Sequence, residues 1–148
     1  MTFSTPSRSL RLFLLCVDLG FIFYWLTSAL RLLPAEWLYA HHDDPVMVAW
    51  NWSFLPLDLF VSATGLASLL LARRQDARWP LLALLSLAFT SASGLNAIAF
   101  WALRGDFDIA WWTPNLLLFL VPWIFIRGVW RRLPTALTKP DADTRSLS

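Results

Sequence analysis

Residues 45–72 read PVMVAWNWSFLPLDLFVSATGLASLLLA, and the architecture follows from them. The stretch is 28 residues long and carries one formal charge, Asp58. An α-helix rises 1.5 Å per residue, so about 20 residues cross the roughly 30 Å hydrocarbon core of a bilayer. The stretch therefore reads as a membrane span. Asp44 before it is a good N-cap type. Pro45 opens it, at the one helical position where a missing N–H costs nothing. Pro56 lies inside and predicts a kink, which membranes tolerate because neighbouring groups re-satisfy the freed carbonyls.

Three further stretches have the same character: 10–33, 80–103 and 114–130. The first is longer than the 7–15 residues of a signal-peptide core and is interrupted by Asp18, so it reads as a retained helix. Pro80 and Pro114 again stand at expected first helical positions, Thr113 is the expected cap of the last span, and Pro34 follows the first span as a stop signal. Pro122 predicts a second kink. The expected fold is all-α: a four-helix transmembrane bundle with sequential antiparallel spans. Residues 1–9 form a short tail, 10–132 the four-span domain, and 133–148 a polar, disordered tail carrying Pro134 and Pro140. The connections at 35–44, 73–79 and 104–113 are short, which favours one bundle over two domains.

Composition agrees. The chain has 148 residues, 57% hydrophobic and 15% charged, whereas soluble domains average about 25% charged. This excludes a disordered chain and a collagen. A net charge of +2 is too small for a polyanion partner, so no nucleic acid is expected. The single cysteine, Cys16, excludes an intrachain disulfide and reads as a buried, inert thiol.

Charge gives an orientation. Ten of the twelve Lys and Arg residues fall on one side of the bundle, including Arg8, Arg11, Arg73, Arg74, Arg78, Arg127, Arg131 and Arg132. Only Arg31 and Arg104 fall on the other. The positive-inside rule then puts both termini in the cytoplasm, with the chain in a bacterial inner membrane. Six of ten tryptophans, among them Trp37, Trp50, Trp52 and Trp111, cluster near the outer side. They read either as an interfacial aromatic belt or as the walls of a pocket opening outward.

Two ionisable residues lie within the spans, Asp18 and Asp58, and no Lys, Arg or His lies deep enough to pair with them. Charge in hydrocarbon is expensive, so each acid must be neutralised, hydrated, cation-bound or heavily hydrogen-bonded. Asn51, Asp58, Ser62 and Gly65 fall on one helical face, and Ser86, Thr90, Ser93 and Ala97 form a second small stripe. Asn96 lies beside that stripe, and Asn115 begins the last span. These groups are either interhelical glue or a pocket for a cation, a proton or a small amphipathic ligand. His41-His42-Asp43-Asp44 reads as a solvated loop rather than a metal site, because consecutive residues rarely converge on one ion. No G-x-S-x-G, Walker A or G-x-G-x-x-G pattern occurs, and no cofactor is expected.

Asp18-Leu-Gly-Phe-Ile-Phe-Tyr-Trp25, Trp50-Asn-Trp-Ser-Phe-Leu-Pro-Leu-Asp58 and Trp111-Trp-Thr-Pro-Asn115 together resemble the YvaD-like family of small four-helix bacterial membrane proteins. That resemblance implies the same topology and no activity. The chain is more weakly similar to the EXPERA superfamily, through an acid in span one, Trp52-Ser53-Phe54 before Asp58, and Pro114 with Pro122. There, intrabundle acids hold a cationic ligand or act on a carbocation-like intermediate, a role that maps only onto Asp18 and Asp58. The isomerases of that superfamily also use an intramembrane His, and this chain has none.

Three functional readings follow. The favoured one is a non-catalytic membrane protein binding a small amphipathic or cationic ligand, or a membrane partner, with membrane lipids around it. Its candidate residues are Asp18, Asp58, Asn51, Asn96, Asn115 and Trp52. The others are a lipid isomerase with Asp58 as proton donor, and a small proton-coupled multidrug-type transporter working as a homodimer.

Overall fold

The computed structural model describes residues 5–39 and 41–133. Apart from Leu133, the tail expected to be disordered lies outside the described residues. The described residues contain helices and no strand: α1 (Arg8–Ala29), α2 (Ala35–Leu38), α3 (Pro45–Ser53), α4 (Leu55–Arg73), α5 (Trp79–Arg104) and α6 (Ile109–Trp130). Four segments are long and apolar enough to cross a membrane: α1, α3 with α4, α5 and α6.

Helix ends follow local chemistry. Ser7 caps α1 and Asp44 caps α3, its carboxylate accepting from the Val46 N–H at 2.8 Å. α1 stops at Ala29, short of the expected 33. Arg31 adopts φ 52°, and the Leu32 N–H reaches back to the Thr27 carbonyl at 3.0 Å. This closure usually announces itself by glycine at the left-handed position, and arginine hides it. Gln75 (φ 56°) ends α4 in the same way, with the Asp76 N–H on the Leu71 carbonyl at 2.9 Å. Only α5 uses the usual residue, Gly105 at φ 71°.

The last span begins earlier than its prolines suggest. Asp108, not Thr113, caps α6, accepting from the Ala110 N–H at 2.9 Å. Pro114 therefore lies inside the helix rather than at its start. Asp108 and Thr113 are both good cap types, and the proline after Thr113 makes the wrong one look better. α6 continues through Pro122 without a break.

Pro56 breaks span two. It has no N–H for the Trp52 carbonyl, so α3 ends there. The Phe54 N–H closes a tighter turn on Asn51 at 3.2 Å, and the Asp58 N–H resumes on Phe54 at 2.9 Å. Asp58 thus sits in the first turn of α4, where the helix dipole favours negative charge.

Neighbouring long helices run in opposite directions. Trp25 meets Asp58 and Asp18 meets Gly65 across α1 and α4. Ser93 meets Asp58 and Phe89 meets Phe60 across α5 and α4. Gly94 of α5 approaches α6 so closely that a Cβ there would sit 2.6 Å from the Asn115 carbonyl oxygen. α1 and α6 meet mainly near the end that holds the 74–78 loop. There Leu10, Leu14, Ala72, Trp79, Ala83, Leu87 and Val129 pack into an apolar plug, and the Phe13 ring lies tilted 5.3 Å from that of Phe125.

The small stripes face inward. Asn51, Asp58 and Ser62 are buried on one side, and Ser86, Thr90 and Ser93 on the other. Cys16, expected to be buried, is exposed. The nearest buried positions on α1 are Leu14 and Asp18, and Cys16 lies between them, about 200° round the helix from each.

Candidate functional site

At the end of the bundle opposite the apolar plug, a cavity of about 350 Å³ opens between α1, α3, α5 and α6. Phe21, Tyr24, Trp25, Trp50 and Trp111 form much of its wall, and Trp37 of the 30–44 connection reaches its lining. Asp58, Ser93 and Ala97 lie deeper. The small residues on α5 make room where larger side chains would fill the space.

Asp58 joins three long helices. Its Oδ2 accepts from the Trp25 indole N–H at 3.0 Å, and its Oδ1 accepts from the Ser93 hydroxyl at 2.9 Å. Both donors are neutral, and Asp58 and Tyr24 are the titratable groups that line the cavity. Tyr24 donates to Asn51 Oδ1 at 2.8 Å. The Asn51 Nδ2 is buried with no partner among the described residues, so a donor stands free in the lining.

The other candidates have different positions. Asn115 lines the cavity but donates its amide to the Trp111 carbonyl at 2.8 Å, one turn back on its own helix. Trp52 does not line it; its ring packs 5.3 Å from Trp25 and backs that wall. Asn96 is exposed on α5 and does not line the cavity, because the inward face of α5 runs through Ser93 and Ala97. Asp18 is fully buried but elsewhere. Its carboxyl rests on Gly65, seven residues along α1 from Trp25, or roughly 10 Å. The two acids therefore do not share a pocket. They are linked through Ser62, whose hydroxyl lies 3.1 Å from the Asp18 carbonyl oxygen and 3.0 Å from that of Asp58.

The composition signalled several wall residues only as a belt. Tyr24 and Trp25 stand in the Asp18–Trp25 stretch that carries the family resemblance, but their hydrogen bonds to Asn51 and Asp58 were not legible there. In the loop before α3, His41 and His42 diverge. The first lies 3.8 Å from Asp106, and the second 3.2 Å from Asp43.

An acidic floor under aromatic walls can hold a positively charged, partly apolar molecule. The carboxylate supplies charge, the indoles supply cation–π attraction, and the Asn51 amide can donate to an acceptor on the same molecule. Comparison with known proteins gives no activity to set beside this. The model of a family of unknown function, DUF5360, matches residues 10–136. The uncharacterized protein YvaD of Bacillus subtilis (strain 168) is 50% identical over 119 residues, 80% of this chain and 90% of that protein. No solved structure matches.

Proposed function

The chain belongs to the DUF5360 family of unknown function, and from that premise we propose that it is a multi-pass inner-membrane protein that binds a small amphipathic cation. Four long apolar helices and the surrounding large exposed apolar side chains support the membrane setting. The concentration of arginine near the 74–78 loop and at both chain ends supports an orientation with both termini cytoplasmic. The cavity then opens toward the outer leaflet.

One observation carries the ligand class. Asp58 lies in an aromatic-walled cavity whose lining, among the described residues, contains no basic side chain. A carboxylate with two neutral donors keeps its charge uncompensated, and a cation entering the cavity would compensate it. Ammonium compounds with an apolar tail match both the charge and the walls. The lipid-isomerase reading lacks such support, since both histidines lie in the loop before Asp44.

The test uses hexyltrimethylammonium and its uncharged carbon isostere, with the purified full chain in nanodiscs. Calorimetry and tryptophan fluorescence should both report binding of the cation and not of the isostere. Asp58→Asn should weaken it about tenfold or more, the loss expected for one charge-assisted contact. Equal binding by wild type and Asp58→Asn rejects the reading.

A further inference from the structure

Asp18 presents a different chemistry. It is fully buried, yet neither carboxyl oxygen has a hydrogen-bond partner among the described residues. Ser68 and Ser86 are also fully buried, and neither hydroxyl is paired. Helical hydroxyls ordinarily bond back to the carbonyl four residues earlier, as Ser62, Thr64 and Thr90 do here at 2.8–3.0 Å. Ser68 and Ser86 forgo that bond.

The three residues come from three helices and lie near one level. The Asp18 carboxyl rests on Gly65, where an added Cβ would overlap it. Ser68 follows Gly65 by three residues, on the same face of α4. The pairs Asp58–Ser93 and Phe60–Phe89 fix the register of α4 against α5. Continued along the helices, that register sets Ser86 opposite Gly65. The register thus brings four unpaired oxygens to a similar depth, about two to three helical turns below the Asp58 carboxyl.

We propose that Asp18 Oδ1 and Oδ2, Ser68 Oγ and Ser86 Oγ form a binding site for a small monovalent cation of the Na⁺ type, distinct from the Asp58 cavity. A proton on Asp18 supplies one donor, which can pair with only one of the remaining three oxygens. A hard cation is ligated by carboxylate and hydroxyl oxygens together. One carboxylate neutralises one positive charge. A divalent ion would leave net charge in the bundle, which is costly. Gly65 is the residue that lets the carboxyl lie flat against α4.

The test is thermal unfolding of the full chain in nanodiscs, in NaCl against N-methylglucamine chloride at equal ionic strength. Wild type should show a saturable rise in Tm with Na⁺ that the organic cation does not reproduce. Asp18→Asn should abolish the rise, and Ser86→Ala and Ser68→Ala should each raise the half-saturating Na⁺ concentration about tenfold. Asp58→Asn should retain the full response, which separates this site from the ligand cavity. Indifference of wild type to Li⁺, Na⁺ and K⁺ overturns the site, as does an Na⁺ response preserved in Asp18→Asn. If Asp18→Asn does not fold, an unaltered Na⁺ response in both serine variants overturns it equally.

Discussion

The Trp25 indole N–H donates to Asp58 Oδ2 at 3.0 Å, so the wall of the cavity also holds its acid in place. Trp25→Phe keeps most of the ring and removes the donor. The buried carboxylate would then keep only Ser93 as a side-chain donor. We expect a loss of about 1–3 kcal/mol, the usual cost of stranding a buried polar partner. Ammonium binding should survive in weakened form, because the charge remains. A chemical-denaturation series with wild type and Trp25→Phe measures the first effect, and calorimetry the second. A variant as stable as wild type would mean that the bond contributes nothing.

Two glycines allow close helix approach, for different reasons. At Gly65 an added Cβ meets the Asp18 side chain. At Gly94 it meets backbone, 2.6 Å from both the Asn115 carbonyl oxygen and the Phe119 nitrogen. A side chain can be shortened and a backbone cannot. Gly65→Ala should therefore destabilise by about 1–3 kcal/mol, in the range for overpacking, and Asp18→Ala in the same chain should recover most of that loss. Gly94→Ala should push α6 from α5, and no single side-chain truncation should rescue it. A double-mutant cycle on 18 and 65 decides the point; simple additivity would contradict the packing described.

Much of this arrangement was legible from spacing. The faces through Asn51, Asp58 and Ser62, and through Ser86, Thr90 and Ser93, are buried because polar and small residues recur at helical intervals in otherwise apolar stretches. Two kinds of feature were not legible. Helix ends at Arg31 and Gln75 use left-handed residues that carry no such signal in their type. The separation of Asp18 from Asp58 depends on the α1–α4 register, which pairs 18 with 65 and 25 with 58. A single sequence does not set that register, and a shift of two turns would have brought the acids together. Asn96 failed for a simpler reason: a neighbour of an inward stripe can itself face outward.

The 74–78 loop has a pH signature. Asp76 accepts from the Arg78 side chain at 2.8 and 3.0 Å and from its backbone N–H at 2.9 Å. Those hydrogen bonds hold the Asp76 carboxyl down at about 2, against an ordinary value of 3.8. A depressed carboxyl stabilises the folded chain above its unfolded value, and the contribution disappears as pH falls through the folded value. The stability difference between wild type and Asp76→Asn should therefore be constant above about pH 4 and vanish toward pH 2. The pair is exposed, so the difference should be small and should shrink in high salt. A difference that grows on acidification would contradict the assignment.

Orientation is open to chemical labelling. In a Cys16→Ser background, Asp43→Cys and Arg74→Cys place single thiols in loops at opposite ends of the bundle. A membrane-impermeant maleimide added to intact cells stripped of outer membrane should label position 43. Position 74 should react only after permeabilisation. The reverse pattern would place the arginine-rich end outside and refute the proposed topology.

Asn51 and Asn96 separate a cavity from a coincidence of composition. Both are asparagines within apolar membrane-length segments, Asn51 on α3 and Asn96 on α5. Asn51 lines the cavity, accepts from Tyr24 and keeps a buried amide N–H group without a partner among the described residues, while Asn96 is exposed. Asn51→Ala strands the Tyr24 hydroxyl and removes the free donor. It should cost about 1–3 kcal/mol and lower affinity for ammonium ligands that carry an acceptor, with less effect on hexyltrimethylammonium, which carries none. Asn96→Leu should stay within about 0.5 kcal/mol of wild type and leave binding unchanged, since Asn96 is exposed and does not line the cavity. The two variants, measured with a choline-type ligand and with hexyltrimethylammonium, give four affinities. If Asn96→Leu proves the more damaging, the ligand enters from the outer face of α5, and the Asp58 cavity is not its site.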